Sequence, residues 1–165
     1  MIFGMTSFTF VHVVLSLVAI ISGFVVMLGL LAGKRLDGWT VLFLVTTVAT
    51  SVTGFGFAFD HLLPSHVVGI VSLVALAVAI VARYLFDLAG AWRWIYVAGA
   101  AVSLYLNVFV LIVQSFLKIP SLKMMAPTQS EPPFVVAQLV ALALLILLGI
   151  VAAVQFRPSR PTGAI

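Results

Sequence analysis

The chain has 165 residues, 64% hydrophobic and 7% charged, with a net charge of +4 and no cysteine. A soluble domain carries about 25% charged residues, so lipid rather than water must solvate most of this surface. The Lys and Arg residues are scattered, which argues against nucleic acid as a partner, and the lack of cysteine removes disulfides, thiolate metal sites and cysteine nucleophiles.

A helix needs about 20 predominantly apolar residues to cross a bilayer. The first such run covers 8–32. It is longer than the roughly 7–15 residues of a signal-peptide core, and no basic region precedes it, so it reads as a retained span. At helical spacing it places His12, Ser16, Ala19 and Gly23 on one stripe. The second run, 38–59, lines one broad face with Thr46, Thr50, Thr53 and Gly54. The segment "DHLLPSH" carries Asp60 and His61 and leads into a third run, 64–86. There His66 stands at the start, and Ser65, Gly69, Ser72 and Ala79 share a face. The fourth run, 91–117, places Tyr96, Ser103, Asn107 and Gln114 on one stripe, and the fifth, 133–156, does the same with Gln138, Ala141, Gly149 and Ala152. Amides facing lipid are costly, so Asn107 and Gln114 are expected to point inward. Between the last two runs lies the polar segment 118–132, "KIPSLKMMAPTQSEP". Its prolines disfavour an ordinary helix, and Pro132 and Pro133 suit the first turn of the helix that follows.

These elements predict an all-α polytopic membrane protein, one bundle of five transmembrane helices over 1–165. Lys34, Arg35, Arg83, Arg93, Arg157 and Arg160 fall on one side, Lys118 and Lys123 on the other. The excess of Lys and Arg marks the cytoplasmic side, which puts the N-terminus outside and the C-terminus inside. Trp39, Trp92 and Trp94 then sit at the inner interface as anchors. Every histidine, Glu131 and Asp60 gather at the outer end, and the inner half is expected to be apolar apart from anchoring cations. Segment 118–132 is expected to fold over the bundle mouth as a cap, bringing Gln129, Ser130 or Glu131 near His12, Asn107 or Gln114.

The span and loop "WRWIYVAGAAVSLYLNVFVLIVQSFLKIPSLKMMAPTQSEPPF", with "TTVATSVTGF" and "SHVVGIVSLV", resemble a family of small multi-span inner-membrane proteins of Gram-negative bacteria. That family has no assigned activity, so the resemblance implies a multi-pass protein of the bacterial inner membrane and no site or cofactor.

Several readings of the outer polar residues follow. The first is a noncatalytic accessory or assembly subunit, packed on a larger membrane complex or on copies of itself, whose small-residue stripes are helix interfaces. The second is a binder of haem, a metal ion, a quinone or a lipid headgroup, with His12, His66, Asn107, Gln114, Gln138, Gln129 and Glu131 as pocket residues. Its sharpest form is a b-type haem held between His12 and His66. A divalent metal would draw on His12, His61, His66, Asp60 and Glu131. A component of solute or ion transport is the third, although the ionisable groups stop near the outer third of the spans. No nucleophile elbow, phosphate loop, dinucleotide fingerprint or HExxH motif marks a catalytic residue, and an enzyme is the less favoured reading.

Overall fold

Thr6 starts the first helix by accepting the Thr9 backbone N–H on its Oγ1 at 3.2 Å, and α1 then runs Ser7–Leu31. It ends on Gly33, whose φ of +69° lets the Lys34 N–H fold back onto the Gly29 carbonyl at 2.8 Å. The computed structural model describes residues 6–57 and 64–157, and no strand occurs among them. After α1 come α2 (Asp37–Gly54) and α3 (Pro64–Ile80), the latter continued by a π-helical turn (Val81–Leu85). Then follow α4 (Trp92–Lys118), α5 (Pro120–Met125) and α6 (Pro132–Gln155).

The prolines of 118–132 do not exclude a helix there. Pro120 opens the six-residue α5, because a missing N–H costs nothing in a first turn. Pro132 and Pro133 open α6 in the same way.

Among the described residues, four helices are long and apolar enough to cross a membrane: Ser7–Leu31, His66–Leu85, Trp92–Lys118 and Pro132–Gln155. The second predicted span is not among them. Its helix, α2, has 18 residues, begins with Asp37 and carries five threonines. The remainder of that span, with Asp60 and His61, lies outside the described residues.

The four long helices and α2 form a bundle with two distinct ends. At one end lie the start of α1, the end of α2 and the loop holding α5; we call it the proline end. At the other, the arginine end, lie Lys34, Arg35, Arg83, Arg93 and Arg157. Helix α2 packs between α1 and α3, α4 closes the far side against both, and α6 rests in the groove between α1 and α4.

Small residues set these distances. A Cβ added to Gly23 of α1 would stand 2.8 Å from Leu104 of α4 and 2.9 Å from Phe43 of α2. At Gly99 of α4 it would stand 3.0 Å from both the Ala75 carbonyl oxygen and the Ala79 Cβ of α3. Met27, Phe43, Leu76, Tyr96, Val97 and Leu104 fill the core that results. The outer surface remains apolar, with Ile21, Leu28, Val45, Val74, Leu144 and Leu147 all exposed. Water-soluble monomers rarely present such a continuous apolar surface, whereas helices in lipid do.

The α3–α4 contact generates a test. Gly99→Val forces a side chain into the Ala75 backbone, which cannot retreat without moving α3. Overpacking of this kind costs about 1–3 kcal/mol, and a lowered unfolding temperature in detergent is the expected result. Gly38→Ala meets nothing within 4 Å and should leave stability equal or raise it by up to about 1 kcal/mol.

Candidate functional site

At the proline end, the predicted site residues each find a different neighbour. His12 Nδ1 lies 2.8 Å from Thr53 Oγ1 on α2. The Thr53 hydroxyl donates its one hydrogen to the Ala49 carbonyl at 2.7 Å, so the His12 ring must be the donor, with its hydrogen on Nδ1. The edge of Phe57 closes on the same ring at 5.1 Å between centroids. His66 is 3% exposed and stacks on Phe55 at 5.5 Å. Phe55 in turn lies against Gly69 of α3.

Thr53 and Phe55 point to nearly opposite sides of the α2 terminus, two residues apart at a period of 3.6. The two imidazoles therefore flank α2, one toward α1 and one toward α3. Helix α2 stands between the helices that carry His12 and His66.

Asn107 donates to Thr47 Oγ1 at 3.4 Å, as an inward-facing amide should. Gln138 is buried and donates to the Phe109 carbonyl at 3.3 Å, tying α6 to α4, and its Oε1 has no partner. Gln114 does not follow Asn107 inward. It is exposed, although the two share a stripe. The reason is length: α4 has 27 residues against 18 in α2, and seven residues beyond Thr47 the opposing helix ends at Gly54. A long side chain at a helix end reaches the hydrated interface and needs no internal partner.

The loop does pack down, onto α4 alone. Gln129 donates to the Val113 carbonyl at 2.9 Å, and Phe134 meets Phe116 edge-on at 5.3 Å. Glu131 closes its own turn, accepting from the Thr128 N–H at 3.1 Å, the Thr128 hydroxyl at 2.9 Å and the Ser130 N–H at 3.1 Å. The loop residues expected to cap His12, Asn107 or Gln114 bond to none of them. No group of three metal-ligating side chains converges among the described residues, and Asp60 and His61 lie outside them.

The closest gathering of charge is at the arginine end, where only anchoring cations were expected. Arg83 is 2% exposed. The π-helical turn that continues α3 rotates it inward, between the rings of Tyr84 and Tyr96 at 5.7 and 5.3 Å. Its Nη2 makes an ion pair with Asp37 Oδ1 at the start of α2 and donates to the Arg35 carbonyl at 3.4 Å. Arg35 pairs with Asp87 at 3.0 Å and stands 3.8 Å from Asp37. Beneath them Thr40 and Tyr96 share a hydrogen bond at 3.4 Å across the bundle. Two arginines and two aspartates thus join the α1–α2 and α3–α4 connections in one neutral network. Arg83 Nη1 and Arg35 Nε are buried in it without a hydrogen-bond partner. One signal for this network was present in the sequence. Asp37 and Asp87, the two acids not assigned to the outer end, each follow an arginine by two to four positions on the same side of the bundle.

No protein-family model, no curated protein and no solved structure matches the chain.

Removing one partner of a buried charge strands the other. Asp37→Ala should lower stability by about 1–3 kcal/mol, because Asp37 itself is exposed and water can reach part of the gap. Arg83→Met removes the charge with its need for a partner and should cost less than Asp37→Ala, or nothing. Chemical unfolding of both variants gives the comparison.

The Glu131 turn makes a second test. Desolvation is the largest single effect and pushes the Glu131 carboxyl up, but the hydrogen bonds from its own backbone, Thr128 and Ser130 together outweigh it and hold the group below its ordinary pKa of 4.5. A depressed folded-state value adds stability above the ordinary pKa and loses it as pH falls through the folded one. The protection factors of the Thr128 and Ser130 amides, taken against the intrinsic exchange rate at each pH, should therefore hold at neutral pH and fall below about pH 4.5, and Glu131→Gln should abolish that step.

Proposed function

We propose that this chain is a small noncatalytic integral membrane protein, an accessory or assembly subunit that packs against a larger membrane complex. The observation that carries the reading is how the interior polar groups are used. His12 is bonded to Thr53, Asn107 to Thr47, Ser51 to Ser72 and Gln138 to the Phe109 carbonyl. These contacts join neighbouring helices. What the bundle offers to other molecules is its outside, above all α6, whose Val136, Leu139, Leu144, Leu147 and Ile150 are exposed.

In this reading α2 is a fifth crossing. It runs beside α1 from Thr40 at the arginine end to Thr53 at the proline end, and two of its threonines return their hydroxyls to the helix's own carbonyls, Thr46 to Leu42 at 2.6 Å and Thr53 to Ala49 at 2.7 Å. The arginine end is cytoplasmic, because it holds Lys34, Arg35, Arg83, Arg93 and Arg157 against Lys118 and Lys123 at the other end. The N-terminus then faces outward, and the membrane is a bacterial inner membrane. Conduction is disfavoured by Phe43, Met27 and Leu104, which fill the bundle between the polar pairs at its two ends.

Purification in mild detergent tests the reading. The expected result is a colourless protein that comigrates with a larger partner on native gels. A protein migrating alone with a Soret band, lost in both His12→Ala and His66→Ala, would replace this reading with the haem one. Labelling of a cysteine at position 129 from outside intact cells is expected, and protection there would reverse the orientation.

A further inference from the structure

The least enclosed helix, α6, leaves a groove of about 380 Å³ along its contact with α4. Apolar side chains wall it from Trp94 near the arginine end to Tyr105 and Leu142, about 16 Å along the α4 axis. Its floor is low because Gly149 and Ala101 meet there; a Cβ on Gly149 would stand 3.2 Å from that of Ala101. The groove is long, narrow and apolar, the shape of one extended alkyl chain.

Charge lies beside its Trp94 end. Arg93 lies over the Trp94 ring at 4.8 Å and donates one N–H to the Phe156 carbonyl at 3.4 Å. Arg157 follows Phe156 directly and is exposed. Arg35 and Arg83 are neutralised by Asp37 and Asp87, but neither Arg93 nor Arg157 has an acidic partner among the described residues. Arg93 thus stands over a ring that lines the groove, and Arg157 directly follows the residue whose carbonyl Arg93 bonds.

We propose that the α4–α6 groove binds an anionic glycerophospholipid, with one acyl chain between Trp94 and Tyr105 and the phosphate on Arg93 and Arg157. Basic pockets between transmembrane helices on one side of a membrane select anionic headgroups in this way. Guanidinium groups suit the task, since each can offer two parallel donors to a phosphate. The groove supplies affinity for any chain of the right length, and the arginines supply the preference for negative charge. A bound chain would also fill the gap beside α6, the helix with the smallest buried share.

The inference requires residence in a bilayer, which resistance of the membrane fraction to alkaline carbonate checks separately. It does not require a protein partner. The test uses the full chain in nanodiscs of phosphatidylcholine with a minor fraction of phosphatidylglycerol bearing the same acyl chains. Native mass spectrometry then reads the lipid retained on the protein. Phosphatidylglycerol should be enriched roughly fivefold for each arginine engaged. The double variant Arg93→Gln, Arg157→Gln should retain both lipids equally, and Gly149→Leu should retain neither. Glycerophosphoglycerol without chains should fail to compete. Equal retention of the two lipids by the unaltered protein, or enrichment that survives the double arginine variant, overturns the proposal. So does a copurified protein that crosslinks within the groove. Should Gly149→Leu disturb the bundle, the arginine variant still decides, because those side chains lie outside the core.

Discussion

Apolar side chains fill the inside of this bundle, and the need of each buried polar group for a partner shapes the rest. A transmembrane helix satisfies its own backbone but not its side chains. Thr46, Ser22 and Ser115 meet the need locally, each bonding a carbonyl one turn back. His12, Asn107, Gln138 and Arg83 cannot, because their polar atoms lie too far from their own backbone. Each therefore reaches another helix, and these reaches fix which helices are neighbours. The bond between His12 and Thr53 sets α1 against α2, and the bond between Gln138 and the Phe109 carbonyl sets α6 against α4. The ion pair of Arg83 and Asp37 ties α3 to α2.

Close packing then does what hydrophobic burial does in a soluble protein. Lipid is as apolar as the core, so helices gain little by hiding leucine and more by fitting surfaces together. The glycines lie where that fit is tightest. Gly23 admits Phe43 and Leu104, and Gly99 admits the backbone of α3. Gly149 lets α6 approach Ala101 and leaves the shallow groove on either side.

Hydropathy made the long helices legible, because a run such as 133–156 has no other stable form in a bilayer, and helical spacing marked Ala19, Gly23, Ser72, Ser103 and Gln138 as facing inward. Three features were not legible, each for a physical reason. Gln114 lies on the inward stripe but beyond the end of α2, and a periodicity carries no information about the length of its partner. His12 and His66 share a depth, yet depth does not say which helix stands between them. Arg83 resembles an interfacial anchor in composition, but one π-helical turn rotates it under the surface toward Asp37.

The two ends differ in how they are closed, and the difference bears on what each can do. At the proline end the Glu131 turn, Phe134 on Phe116 and Gln129 on α4 hold the loop, while His12 bonds Thr53 between α1 and α2. The arginine end is held by contacts between residues distant in sequence, and Arg35, Asp37, Arg83 and Asp87 cancel one another's charge. Lys34, Arg93 and Arg157 have no acidic partner there among the described residues. Of these, Arg93 lies over Trp94, which lines the α4–α6 groove, and bonds the carbonyl that Arg157 follows. That junction of uncompensated charge with unfilled apolar space is where the surrounding membrane has most to offer this protein.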